Sequence, residues 1–186
     1  MARIAIVYTT VEGHTSEIVD RMAARLRGTG NGVEIFEAEA APRSLSGFDG
    51  VLVGGSIHMG KQHPSLVKFA KRHRAELDAM PDAFFSVSMA AVRPDPERQD
   101  EAMAAVRTFT ETCGWHPGAV GLFGGALLYT QYGFIKRRVM RHIAAKKHDD
   151  TDMTRDWDYT DYAAVDRFAD EFAVRMRPEV LAVTAS

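Results

Sequence analysis

Three features of the sequence predict an α/β fold whose parallel sheet is covered on both faces. Short runs such as Ile4-Ala5-Ile6-Val7-Tyr8 and Val51-Leu52-Val53-Gly54-Gly55 are apolar throughout, the pattern of strands buried on two sides. These runs alternate along the chain with amphipathic helical stretches. Small and polar residues follow the first, third and fourth strands, at the sheet rim where ligands of such folds sit.

The elements follow in order. After the first strand, Ile18, Val19, Met22, Ala23 and Leu26 recur at helical spacing, and Gly28 to Gly32 reads as a glycine-rich C-terminal turn. Val33 to Phe36 alternates as a second strand. A loop with Pro42 leads through Phe48-Asp49-Gly50 into the third strand, Val51 to Gly55, which ends in Ser56-Ile57-His58-Met59-Gly60. Pro64 suits the first turn of the next helix, whose apolar face is Leu66, Phe69, Ala70 and Leu77. The fourth strand, Ala83 to Val87, ends in Ser88-Met89-Ala90-Ala91. A helix from Pro96 puts Ala102, Ala105, Val106, Phe109 and Cys113 on one side, and a fifth strand, Ala119 to Phe123, runs into Gly124-Gly125-Ala126. The last helix, Thr160 to Met176, turns Val165, Phe168, Ala169, Phe172 and Met176 inward. Residues from Arg177 form a tail.

With 186 residues, 46% of them hydrophobic, the chain has core enough for one domain, here 1–176 with a tail at 177–186. A formal charge of -2 argues against wholesale nucleic-acid binding and against the acidic surface of a carrier protein. The single Cys113 excludes an internal disulfide and a thiolate metal cluster, fits a reducing cytoplasm, and reads as a small buried apolar residue. With no signal segment and no bilayer-length apolar run, a soluble protein, at most peripheral to a membrane, is expected.

The loop Thr9-Thr10-Val11-Glu12-Gly13-His14-Thr15 joins the first strand to the first helix. Such a loop presents backbone N–H groups and the positive end of a helix dipole at one point, which suits a phosphate. The pattern is neither G-x-G-x-x-G nor G-x-x-x-x-G-K-[ST], and no lysine is there to reach outer phosphates, so a single monoester phosphate fits best. An ordinary βα turn with Thr15 as helix N-cap fits these residues as well.

Taken together, Tyr8 to Thr15 resembles the FMN-phosphate loop of flavodoxins, and Val53-Gly54-Gly55-Ser56-Ile57-His58-Met59-Gly60 resembles the loop on one side of their flavin. Flavodoxins usually carry a hydroxyl residue where this chain has Glu12, and an aromatic one near His58 or Met59. With those departures, the strings GGSIHMG, MPDAFFSVSMA (Met80 to Ala90) and GGALLY (Gly124 to Tyr129) are more similar to the menaquinone-dependent protoporphyrinogen oxidases, flavodoxin-like enzymes that make protoporphyrin IX. The resemblance spans nearly the whole chain. It implies a doubly wound five-stranded sheet of order 2-1-3-4-5, FMN as cofactor, and a tetrapyrrole and a quinone as reaction partners.

The resemblance also implies site residues. Thr9, Thr10, Val11, Glu12, Gly13, His14 and Thr15 surround the FMN phosphate, with the Glu12 carboxylate turned away from it. Ser56, Ile57, His58 and Met59 lie at one face or edge of the ring, and Ser88, Met89, Ala90 and Gly125 at the other. His58 is the candidate catalytic base, since its ordinary pKa is near neutrality; simple packing on the ring is the other reading of it. His14 is expected to help neutralise the phosphate or to face solvent. No metal site is expected.

Between the fifth strand and the last helix, residues 129–158 far exceed the ~2–6 residues of an ordinary connection. Gln131 to Lys147 reads as a helix with Tyr132, Ile135, Val139 and Ile143 on one face and Lys136, Arg137, Arg138, Arg141, Lys146 and Lys147 around the rest. Such a basic amphipathic helix suits an anionic membrane surface, the propionates of a substrate, or plain cover of the sheet edge. The following Asp149, Asp150, Asp152, Asp156 and Asp158 lack the order of a calcium loop and read as a solvated, flexible loop with a helix cap.

The function expected from these features is FMN-dependent oxidation of protoporphyrinogen IX with a quinone acceptor, menaquinone, in haem biosynthesis, in the cytoplasm or peripherally at the cytoplasmic face of the membrane. A flavodoxin-type electron carrier and an FMN-dependent NAD(P)H:quinone reductase are the alternatives. Near-zero charge, the basic insert and the missing flavin-loop aromatics favour the enzyme over the carrier.

Overall fold

Ile4 and Ile6 pack on one side of a sheet and Ala5 and Val7 on the other, and all four are fully buried. An apolar run along a strand is what burial on both faces demands. This strand, β1 (Arg3–Thr9), pairs in parallel with β2 (Gly32–Glu37) and β3 (Gly50–Ser56); β4 (Asp82–Ser88) and β5 (Val120–Gly124) complete the order β2-β1-β3-β4-β5. The computed structural model describes residues 1–92, 95–131, 140–142, 145 and 152–176. The sheet order is the flavodoxin order implied by the resemblance.

Helices α1 (His14–Gly28) and α4 (Tyr162–Arg175) cover one face, where Ile18, Met22, Leu26, Val165 and Phe172 meet Ile4, Ile6 and Phe85. Helices α2 (Pro64–Leu77) and α3 (Pro96–Cys113) cover the other, around Val53, Phe84, Phe109 and Trp115. Cys113 is buried in that second core, as expected. Asp82, at the start of β4, accepts hydrogen bonds from the Trp115 indole and the Gly118 N–H. Burial nevertheless pushes its carboxyl above the usual range.

The expected helix boundaries hold, with one correction at the start of α1. Thr15 is not the N-cap: Gly13, in the left-handed region at φ 88°, occupies that position, and no side chain caps the helix. The Thr10 hydroxyl accepts the Gly13 N–H at 2.9 Å, and the Gly13 carbonyl takes the Ser16 N–H at 3.0 Å. Thr15 is thereby drawn inside the first turn, 1% exposed.

Past β5 the chain makes a small element that the sequence did not announce. β6 (Ala126–Leu127) pairs antiparallel with β7 (Trp157–Asp158), so the two ends of the 129–158 insert meet beside the sheet. Leu127 and the fully buried Tyr129 form a satellite core with Met140, Trp157 and Tyr159. The expected basic helix over 131–147 lies mostly outside the described residues; within them, 140–142 and 145 are helical. Asp149, Asp150 and the tail from Arg177 also lie outside. The described aspartates are engaged rather than merely solvated: Asp156 accepts the Thr130 N–H at 2.8 Å and its hydroxyl at 2.6 Å, and Asp161 caps α4 through the Ala164 N–H at 3.0 Å.

Candidate functional site

The carboxyl ends of β1, β3 and β4 bring their three loops to one rim, as parallel order requires. A cleft of about 120 Å³ opens there, bordered by Thr10, Val11, Glu12, His14 and Thr15 from the first loop. Ser56, Ile57 and His58 come from the second, Ser88 and Met89 from the third, and Gly125 from the end of β5. Met59 and Ala90 border an adjoining apolar cavity of about 320 Å³, which shares Ile57, His58, Ser88, Met89 and Met140 with the cleft. Two expected residues border neither. Thr9 is buried at the end of β1, and Gly13 shapes the turn.

One end of the cleft is polar because a helix begins there. The N–H groups of Val11, His14 and Thr15 take no acceptor among the described residues, and they sit where the α1 dipole is positive. Glu12 borders the same end and is itself engaged. Beneath the rim, Gly54 and Gly55 of β3 pack against neighbouring strands: a side chain on Gly54 would overlap Phe85, and one on Gly55 would overlap the Thr9 side chain. Close backbone approach thus explains two glycines inside a buried strand. The Thr9 and Ser56 hydroxyl oxygens are buried without a hydrogen-bond partner among the described residues.

His14 behaves otherwise than expected. Its ring is buried, with Nε2 2.8 Å from the Thr160 hydroxyl and 3.3 Å from Asp158. The Thr160 hydroxyl already donates to the Gly124 carbonyl at 3.0 Å. It must therefore accept from His14, which places a proton on Nε2. The residue ties the first loop to the returning end of the insert rather than facing solvent. Burial opposes ionisation of Asp158, yet the Thr160 N–H at 2.9 Å and the Tyr162 hydroxyl at 2.7 Å outweigh it and hold its carboxyl below the usual range. Burial, and then the charge of Asp158, push the Tyr162 phenol up to about 12.

The other end of the cleft is shaped by a hairpin. His58 and Lys61 exchange backbone bonds of 2.9 and 3.1 Å, with Met59 (φ 50°) and Gly60 (φ 76°) between them. Two positive φ values in succession are the requirement of a type I′ turn. His58 is exposed on this hairpin and borders both cavities. On the facing side, the Ser88 hydroxyl accepts the Ala91 N–H at 3.2 Å, and the Arg98 guanidinium donates to the Met89 carbonyl at 3.2 Å. Together these bonds fix the 3-10 turn Met89–Val92 as a wall. Sequence reading missed Arg98, Leu127 and Met140 as wall residues, because none lies in a strand-end loop.

Comparison with known proteins agrees with this geometry. Residues 5–154 match the model of the flavodoxin domain. A protoporphyrinogen IX dehydrogenase (quinone) of Leishmania major is 36% identical over 90% of this chain and 73% of its own. The protein of the same name from Escherichia coli strain K12 is 30% identical over 90% and 93% respectively. Among solved structures, oxidised flavodoxin 1 from Bacillus cereus superposes with a TM-score of 0.53 at 15% identity, covering 93% of this chain and 98% of that one, a likeness of fold. Flavodoxin domains bind FMN, which is the cofactor of this chain. The residues of the cleft fit it: N–H groups without an acceptor among the described residues at a helix start for a phosphate, and an apolar far end for a ring. The chain belongs to the flavodoxin domain family, among the protoporphyrinogen IX dehydrogenases (quinone).

Proposed function

We propose that this chain oxidises protoporphyrinogen IX to protoporphyrin IX and delivers the electrons to a quinone, menaquinone in the first instance, in haem biosynthesis. The observation that carries the reading is the composition of the cleft: among the described residues bordering it and its apolar extension there is no Phe, Tyr or Trp. Aromatic side chains sandwiching the ring are what a one-electron carrier uses; an uncovered ring face is what a bulky donor and a flat acceptor need. The names of the two relatives support the same pair of reactants.

When bound, FMN supplies two-electron redox chemistry, and the protein supplies position and environment. The N–H groups of Val11, His14 and Thr15, with the Thr10 and Thr15 hydroxyls, hold the phosphate. Ile57 and the 3-10 turn at Met89 would border the ring from its two sides. His58, exposed on its hairpin, is the proposed acceptor for a proton leaving the tetrapyrrole. Three passes remove six electrons and six protons from the substrate, and three quinones take them up as hydroquinones. The basic stretch 131–147 is the proposed contact with the anionic cytoplasmic face of the membrane, where the quinone resides.

The test is anaerobic reduction of the FMN-loaded protein. Protoporphyrinogen IX is expected to bleach the flavin, and menadione to restore its colour. Rapid bleaching by NADH with none by the porphyrinogen would make the protein an NAD(P)H:quinone reductase, and a stable one-electron form would make it a carrier.

A further inference from the structure

The apolar cavity beside the cleft shares none of the first-loop residues that border the cleft's polar end. It measures about 320 Å³ and lies between the hairpin 58–61, the 3-10 turn 89–92 and helix α3. Three methionines, Met59, Met89 and Met140, border it together with Ile57, Ala102 and Leu127. Thioether side chains adapt to flat apolar ligands without giving up contact.

Met59 carries a second signal. It is 90% exposed, although hydrophobic, and its φ of 50° lies in the left-handed region. That conformation is unfavourable for a residue with a side chain, and solvent exposure returns nothing to offset it. Strain combined with an exposed apolar side chain at a cavity mouth points to a ligand that covers the side chain.

Size and polarity select the ligand. The volume is at the small end of the ~300–1,000 Å³ usual for ligand pockets. It accommodates a one- or two-ring aromatic but not a four-ring macrocycle carrying two carboxylates. Arg98, the one guanidinium among the described wall residues, is buried and engaged with the Met89 carbonyl, so it is poorly placed to serve propionates. We propose that this cavity receives the neutral two-ring head of the quinone acceptor, with Met59 closing over its outer face and the ring edge at Ile57 and Met89. The assignment rests on the reading of the adjoining cleft as the FMN site. It separates the acceptor from the tetrapyrrole, which is left the open side of the cleft.

Binding can be read without turnover. Menadione is titrated into oxidised, FMN-loaded protein carrying 13C-methyl methionine, with single Met→Leu variants for assignment. The Met59, Met89 and Met140 methyl signals are expected to shift together and saturably, while those of Met22 and Met176, buried in the opposite core, stay put. Ala105→Trp, on the partly exposed α3 wall of the cavity, is expected to abolish those shifts and raise the KM for menadione about tenfold or more by overfilling the space. Menadione turnover without shifts at the three methyls, or with shifts confined to other methionines, overturns the assignment and leaves the FMN reading intact. Failure of the protein to take up FMN overturns both.

Discussion

The two ends of the cleft are built on opposite principles. At the α1 end, polar groups go unanswered among the described residues: backbone N–H groups without acceptors, beside a glycine cap at positive φ. At the hairpin end it leaves apolar groups unanswered, with Met59 held out in solvent and methionines around an apolar cavity. The first end is made rigid by long-range ties, from α1 to α4 through Arg21–Asp166 and Arg25–Asp170, each doubly hydrogen-bonded at 2.7 Å, and through His14 to Thr160. The described hairpin contacts are local backbone bonds between His58 and Lys61. The difference teaches that one end must hold a permanent anionic group in place, whereas the other must admit and release its ligands.

If that contrast is right, damage to the rigid end should cost cofactor and stability together. The largest effect is expected at Gly124, where an added methyl group would overlap the Tyr159 carbonyl, a backbone atom that cannot swing aside. Gly124→Ala should lower unfolding stability by about 1–3 kcal/mol, as overpacking does. It should also weaken FMN binding, because the displaced segment after β7 carries Thr160. Denaturant unfolding and FMN fluorescence titration check the two effects, and a variant with wild-type values for both would remove the insert from the cofactor site.

His14 gives a smaller and more specific break. His14→Ala removes the Nε2 donor from the half-buried Thr160 hydroxyl, and the ring that lies beside the exposed Asp158 carboxylate, at an expected cost of about 1–2 kcal/mol. FMN affinity should fall by about tenfold if the loop geometry depends on the tie. His14→Gln retains an amide donor at similar reach and should recover part of the affinity. Equal losses in the two variants would mean that ring volume, rather than the hydrogen bond, holds the loop.

Legibility in the sequence followed the same division. The five main strands and four helices were readable because burial on two faces, or on one helical stripe, imposes a pattern on consecutive residues. Leu66, Phe69 and Leu77, or Val165, Phe168 and Phe172, show their spacing without any tertiary knowledge. The rim loops were readable by position, since parallel topology sends every strand end to one side. The 129–158 insert was not. Two-residue strands such as β6 and β7 have no period to detect, and Asp156 and Asp158 are placed by bonds to individual donors, which leave no trace in local composition. His14 and Thr160 are 146 residues apart, so neither could announce its partner. Met59 looked like a residue lying on a ring; that its backbone is strained and its side chain exposed emerged only with coordinates, although the adjacent Gly60 hinted at a tight turn.

The smallest effect sharpens the picture of the rigid end through pH. The Tyr162 phenol, which donates to Asp158 at 2.7 Å, titrates at about 12 in the folded chain against an ordinary value of 10. A folded pKa raised above the unfolded one means that the folded state binds the extra proton between those two values. Its contribution to stability is therefore complete below pH 10 and is lost as pH rises towards 12. Tyr162→Phe should abolish that alkaline decline and remove one high-pKa phenolate from the ultraviolet titration. Because the ring is partly exposed, the Tm difference at neutral pH should stay below about 4 °C, the shift that ~1 kcal/mol makes in a chain of this size. Asp158 supplies the opposite sign. Its carboxyl is held below the usual range, so its contribution is present at neutral pH and disappears as acid protonates it. The His14–Asp158–Tyr162 junction should thus hold best between these two limits, and FMN release measured across pH should show a plateau bounded on both sides. A release profile flat into strong acid would detach the junction from the phosphate loop and leave the helix N-terminus alone to hold the anion.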